Sequence, residues 1–195
     1  MDFGTLKSRL LAQIGRAPSA LCYELCTADI NQTLRLQCMV SSTTLVEAAE
    51  ITLPADFLGV ADIYRDTDPR GELRPTSSQG LHRVYETTGV PKYYDIEDGT
   101  MRLTPAPNGS ENIKLRYYAK LADLSADGDT NNVLTKFPAI YVYGVLKHHA
   151  TLIRDEKAVA FYDSAFGHAG RQAGASDKND QYSGGPLAVV VQATP

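Results

Sequence analysis

Cysteine is scarce in this chain and tryptophan is missing. Cys22, Cys26 and Cys38 are an odd number without disulfide-framework spacing, which excludes a stapled secreted scaffold and fits synthesis in a reducing cytoplasm. No window approaches the roughly 18 consecutive apolar residues of a membrane helix. Met1 is followed by Asp2, Lys7, Arg9 and Arg16 rather than by an apolar signal core, so a soluble protein with no membrane partner is expected. Positive charge is not in excess either. Nineteen Lys and Arg against 23 Asp and Glu give a formal net charge of -4, which argues against a general nucleic-acid coat. What the 195 residues do hold is 43% hydrophobic side chains, enough to build the core of one elaborated domain or two small ones. They also hold 11 tyrosines, a residue suited to half-buried surfaces and contacts between chains.

The hydrophobic period changes twice along the chain. Residues 2–34 read as two helices, the first carrying Phe3, Leu6, Leu10 and Ile14 and stopping near Gly15. The second starts near Ser19 and spaces Cys22, Cys26, Ile30 and Leu34 by four, with Leu21, Leu25 and Ala28 beside them. From Arg35 the period becomes two. Leu36, Cys38 and Val40 predict a strand, followed by strands at residues 50–53, 60–65 and 72–76, with a corner at 54–58 and a helix from Ser77 to about Glu86. Residues 93–96 and 101–103 flank Asp98-Gly99, a pair that tolerates the positive φ angles of a tight hairpin turn. Ile113, Leu115 and Tyr117 share one face of a further strand, and residues 123–132 are a polar loop.

Residues 130–171 return to the helical period. Pro138 suits a first helical position, where its missing amide proton costs nothing, and Tyr143, Leu146, Ala150 and Ile153 form a stripe widened by Val142, Val145 and Leu152. Asp155 can cap the next helix, whose stripe is Val159, Tyr162, Phe166, Ala169 and Ala173 and whose far end Gly167, Gly170 and Gly174 weaken. The expected class is therefore α+β. N- and C-terminal helix pairs (residues 1–34 and 130–173) form a helical bundle, residues 35–129 a strand-rich β insert, and residues 174–195 a flexible, extended C-terminal tail. In that tail Tyr182, Leu187, Ala188, Val189, Val190 and Val191 are the candidate partner-binding residues. A Gly-rich lead gives reach, and a short β-branched run can join a partner's sheet edge or fill an apolar groove.

Recognisable reaction chemistry is missing as well. No phosphate-binding loop G-x-x-x-x-G-K-[ST], no G-x-G-x-x-G after a strand and no nucleophile elbow G-x-S-x-G occurs. His82, His148, His149 and His168 could each supply a base, but no Ser or Cys is marked as a partner. His148 and His149 are adjacent on a helix and point about 100° apart. Cys22 and Cys26 sit one turn apart and read as small core residues rather than zinc ligands. Asp127, Asp129 and Asn131 begin like a calcium loop, but Asn132 stands where glycine is needed and Pro138 where a bidentate Glu belongs, so an Asx-turn loop with a helix cap is expected. Asp95, Glu97 and Asp98 read as a solvated hairpin tip, and Lys147, His148, His149 and Arg154 as a basic face too sparse for sequence readout. No catalytic residue, cofactor or metal is assigned.

The order of landmarks resembles the head-to-tail adaptor, or head-completion, proteins of tailed bacteriophages. The likeness covers most of residues 5–166. It runs through ADINQTLR (28–35), ITLPADF (51–57), GVPKYY (89–94), MRLTPAP (101–107), LRYYAKL (115–121) with Leu124 and Ser125, TNNVL (130–134) and FPAIYVY (137–143). The resemblance implies a non-enzymatic virion subunit at the portal vertex, in a homo-oligomeric ring commonly twelvefold to match the portal. It implies the portal protein and a tail or nozzle protein as partners, a C-terminal tail that grips the portal or a neighbouring subunit, and double-stranded DNA passing through the lumen without sequence readout. Another virion subunit, such as a tail-joining or tail-completion protein, and a histidine-dependent hydrolase are the alternatives.

Overall fold

The computed structural model describes residues 1–67, 69–77 and 88–182, with residues 180–182 described by their backbone alone. The fold is α+β, and the chain divides into two compact units. One joins Met1–Met39 to the chain from Leu121 onward, and the other is Val40–Lys120.

The first unit is helical. Helix α1 (Phe3–Ile14) opens on Asp2, whose carboxylate accepts the Thr5 amide at 2.7 Å, and closes on Gly15 at φ 68°, a left-handed angle that glycine adopts without cost. Helix α2 (Ala20–Thr33) opens on Ser19 as its N-cap, and Cys22, Cys26 and Ile30 of its stripe are fully buried. A five-residue helix α3 (Asn132–Lys136), capped by Asn131, precedes α4 (Pro138–Leu152), which has Pro138 in its first turn. Helix α5 (Glu156–Tyr182) follows a corner where Arg154 takes φ 59° and Asp155 Oδ1 accepts the Ala158 amide at 3.1 Å.

Helix α4 is the centre of this unit, with α1, α2, α3 and α5 packed around it. The N-terminal helices thus do pack on the C-terminal ones, as the paired stripes require. The buried edge of α4 differs from the expected stripe. Ile140, Tyr141, Gly144, Val145, Leu146 and Ala150 face inward, Tyr143 is half-buried, and Leu152 and Ile153 are exposed. The reason lies at Gly144. A Cβ there would meet Cys26 Sγ at 2.5 Å and the Phe166 ring at 3.2 Å, so a bare backbone lets α2 and α5 come closest along that edge.

The expected tail also begins later than residue 174. Helix α5 continues through Gly167, Gly170 and Gly174 to Tyr182, and its inward stripe of Phe166, Ala169, Gly170 and Ala173 extends to Asp177. Asp177 is 3% exposed, takes Lys136 Nζ at 2.9 Å and accepts the Gln37 amide. A carboxylate satisfied on both sides holds the helix end that the glycines alone would let fray.

The second unit is built from two four-stranded sheets. In one, β1 (Val40–Val46), β10 (Asn112–Ala119), β3 (Phe57–Arg65) and β4 (Gly71–Glu72) lie side by side in that order, antiparallel throughout. In the other the order is β2 (Glu50–Thr52), β8 (Thr100–Thr104), β7 (Tyr93–Glu97) and β5 (Arg74–Pro75), with β5 parallel to β7. A parallel pair, β6 (Thr88–Gly89) and β9 (Ala106–Pro107), stands beside them. Ile63, Ile113, Leu115 and Tyr117 of the first sheet share one core with Ile51, Tyr94, Met101 and Leu103 of the second. The β7–β8 hairpin turns on Asp98 (φ 46°) and Gly99 (φ 72°), the two positive angles its sequence predicts. Residues 36–40 are a correction. Gln37–Met39 form a 3-10 turn and the strand starts only at Val40, because Leu36 and Met39 are both buried and an alternating strand would put them on opposite faces. The helix expected from Ser77 to Glu86 falls outside the described residues beyond Ser77 itself.

Candidate functional site

The polar side chains that sequence reasoning singled out are mostly engaged in holding helices. Asp29 on α2 receives Lys147 Nζ at 2.5 Å and His148 Nε2 at 3.0 Å from α4. Lys147 also reaches Asp163 at 3.6 Å and lies 5.0 Å from the centre of the Phe166 ring. Both basic side chains are therefore turned toward α2 and α5, and the basic face read from Lys147, His148, His149 and Arg154 loses two of its four members to an internal clasp. His149 is half-buried on α4, and His168 is exposed on α5. His82 lies outside the described residues.

Tyr141 is a fully buried polar side chain. Its hydroxyl accepts from Asn131 Nδ2 at 2.7 Å and lies 3.3 Å from Thr27 Oγ1, while Asn131 Oδ1 takes the Leu134 amide at 2.9 Å. Burial pushes the Tyr141 phenol up to about 12, with the bonds to Thr27 and Asn131 pulling the other way. Burial raises the Cys22 thiol as well, and that of Cys26 much further, which keeps both as neutral core side chains. Cys26 Sγ sits 3.9 Å from the Tyr141 carbonyl oxygen.

The Asp127–Asn132 loop folds on itself. Asp129 accepts the amides of Ser125 (2.8 Å) and Ala126 (2.7 Å) and the Ser125 hydroxyl (3.0 Å), bonds that hold its carboxyl below the usual carboxylate range. Asp127 pairs with Lys7, and its carbonyl receives the Gly4 amide at 2.8 Å, tying the loop to α1. At the hairpin tip, Glu97 pairs with Arg102 at 3.0 Å. Among the described residues no group of three or more His, Cys, Asp or Glu is arranged to hold a metal ion.

Exposed apolar side chains are what the fold leaves uncommitted. Leu21 and Leu25 stand on the outer side of α2, with Leu11 on α1. Leu152, Ile153 and Phe161 cluster in sequence around the α4–α5 corner, and Phe161 is 65% exposed. The spacing by four of Leu21 and Leu25 is visible in the sequence, but nothing there says that both are exposed among the described residues. Of the tail residues, Tyr182 ends helix α5, and Leu187, Ala188, Val189, Val190 and Val191 lie outside the described residues.

A helical unit that joins the N-terminal helices to those after Leu121, and a strand-rich unit between them in sequence, define an α+β protein with several exposed apolar side chains on its helices. The chain matches the SU10 adaptor protein family over residues 1–190 and belongs to that family, one of phage head-to-tail adaptors. It is accordingly a structural protein of the bacteriophage virion that acts with other virion proteins. No curated protein matches it. Among the described residues no helix is long and apolar enough to cross a membrane.

Proposed function

We propose that this protein is the subunit of a homo-oligomeric ring, of about twelve copies if it matches the portal's usual symmetry, that joins the portal to the tail or nozzle and continues the DNA channel. Family membership over residues 1–190 is the observation that carries the reading. The acidic balance, a formal net charge of -4, supports it: carboxylates facing a lumen repel the phosphate backbone and let DNA slide without sequence readout. Residues 187–195, with Leu187, Ala188, Val189, Val190 and Val191 as the apolar segment and Tyr182 at the end of α5, dock on the portal or a neighbouring subunit, where a short β-branched run can join a sheet edge or fill an apolar groove.

Electron microscopy of the protein mixed with the portal of the same phage tests the ring. Rings seated on the portal are expected, and a chain that stays monomeric beside portal at high concentration would defeat the reading. In that case co-purification with tail components supports the second reading, a tail-joining or tail-completion subunit. Removing residues 187–195 is expected to leave thermal unfolding unchanged and to weaken portal binding at least tenfold, and equal binding with and without them removes the docking role of the tail.

A further inference from the structure

The outer strands of the two four-stranded sheets are short, with one exception. β4 and β5 have two residues each, β5 ending on Pro75, and β2 has three, whereas β1 runs for seven. An open strand edge is a row of amide and carbonyl groups that invites pairing, and folds usually blunt it with shortness, charge, proline or a bulge. β1, VSSTTLV, has no charged residue and no proline, and its register with β10 runs without a shift, unlike that of β10 with β3. The ladder fixes which groups face outward. The Glu47 amide donates to the Glu111 carbonyl at 2.9 Å, one step beyond the Val46–Asn112 pair, and the Asp66 amide donates to the Asn112 carbonyl at 2.7 Å on the β3 side. Bonded and non-bonded pairs alternate along an antiparallel ladder. Ser41, Thr43 and Leu45 therefore bond to β10, while Val40, Ser42, Thr44 and Val46 turn their amides and carbonyls the other way. Among the described residues no strand pairs with that edge and no backbone hydrogen bond engages those four there.

We propose that residues 187–191 of one subunit add as a strand to this edge of β1 in the next copy of the chain. The run Leu187-Ala188-Val189-Val190-Val191 is uncharged and rich in β-branched side chains, the composition of a strand, and its five residues fit within the seven of β1. In a strand it would set Leu187, Val189 and Val191 on one face and Ala188 and Val190 on the other, apolar on both. β1 has an apolar neighbour for each face. Leu45 packs half-buried at the margin of the core, and Val46, on the opposite face, is 57% exposed. The inference rests on the ring reading above and names the surface that receives the tail. Giving a strand and taking one use two different surfaces of each subunit, which makes the contact head-to-tail, the kind that closes into a ring.

The test uses the full-length chain with Ser42, exposed on β1, replaced by the photo-crosslinker p-benzoylphenylalanine, assembled on the portal of the same phage and irradiated. Covalent multimers on a denaturing gel are expected, with mass spectrometry placing the link within residues 187–191 of another copy. A link to portal, a link to residues 187–191 of the same chain, which stays at monomer size, or no link to that segment in rings that micrographs show to be complete overturns the inference and leaves the ring intact. Failure of the unsubstituted protein to form rings overturns both. Adjacent residues of a strand point their amides to opposite edges, so Val189→Pro/Val190→Pro removes one ladder amide whatever the register. That variant is expected to lower the cross-linked yield at least tenfold, and Val189→Thr/Val190→Thr, which keeps the amides and the branched shape, less than twofold. Equal yields from the two overturn strand addition. Hydrogen exchange reads the same edge without a probe: in unsubstituted rings the Ser42 and Thr44 amides are expected to exchange at least tenfold more slowly than in free subunits, and equal exchange overturns the pairing.

Discussion

Among the described glycines, Gly144 leaves the least room for a side chain. An added methyl would lie 2.5 Å from Cys26 Sγ and 3.2 Å from the Phe166 ring, in a place where three helices have already closed up. Gly144→Ala is therefore expected to destabilise the unit by about 1–3 kcal/mol, the usual cost of overpacking, measured as a lower denaturant midpoint. Combining it with Cys26→Ala should cost less than the sum of the two single changes, since shortening the thiol makes room for the methyl. Additive losses would show that the clash is not where the geometry puts it. This residue also explains a misreading. Hydropathy counts pointed to Tyr143 as a stripe member, because glycine scores as neutral, yet the bare edge of α4 is the one that draws its neighbours in. Tyr141 then takes the buried position, and its hydroxyl is satisfied by Asn131 and Thr27.

Helix α5 shows how an element can outlast its local signals. Three glycines lower its intrinsic helicity, and the polar residues after Gly174 read as the start of a loose segment. Tertiary contacts carry it on. Gly170 lets Leu34 approach, since a Cβ there would stand 3.2 Å from Leu34 Cδ2, and Asp177 fastens the last turns to Lys136 and the Gln37 amide. Asp177→Ala takes the carboxylate away from the part-buried Gln37 amide and removes the Lys136 contact, at a cost of about 1–3 kcal/mol. Hydrogen exchange should rise selectively over residues 174–182 while α1 and α2 keep their protection. Unchanged exchange there would mean that the carboxylate does not hold the helix end. By contrast, the β7–β8 hairpin, the stop near Gly15 and the Asp155 cap were legible in sequence, because each depends on a backbone preference of one or two adjacent residues.

Across the whole molecule, the buried weak acids set a limit in alkali. Burial pushes Tyr23 and Tyr141 up to about 12 from ordinary values of 10.0, and Cys38 to about 11 from 9.0, with the nearby Asp177 adding to the Cys38 shift. The unfolded chain releases these protons at lower pH than the native one, so their contribution is fully present below pH 9 and is lost as pH climbs toward 11 and 12. Thermal stability is expected to fall steadily from about pH 9 upward, more shallowly in Tyr141→Phe once its lower starting stability is subtracted. A midpoint that stays flat from pH 9 to 11 would contradict this. At this scale too, the family match over residues 1–190 gives the chain its place among phage adaptors, a conclusion that the order of short motifs along residues 5–166 already indicated.

The sequence by itself determined most of the described helices and strands, the Asp155 cap and the tight turn, along with the helix–strand–helix order that makes the fold α+β, since these follow from spacing and backbone preference within a few residues. Only the tertiary structure decided that Gly144 marks the closest approach of helices and that Asp177 is an anchor rather than part of a loose end. The same holds for the exposure of Leu21 and Leu25 on α2 and Phe161 on α5 among the described residues. Whether a side chain is covered depends on residues more than a hundred positions away, and periodicity along one helix carries no information about them.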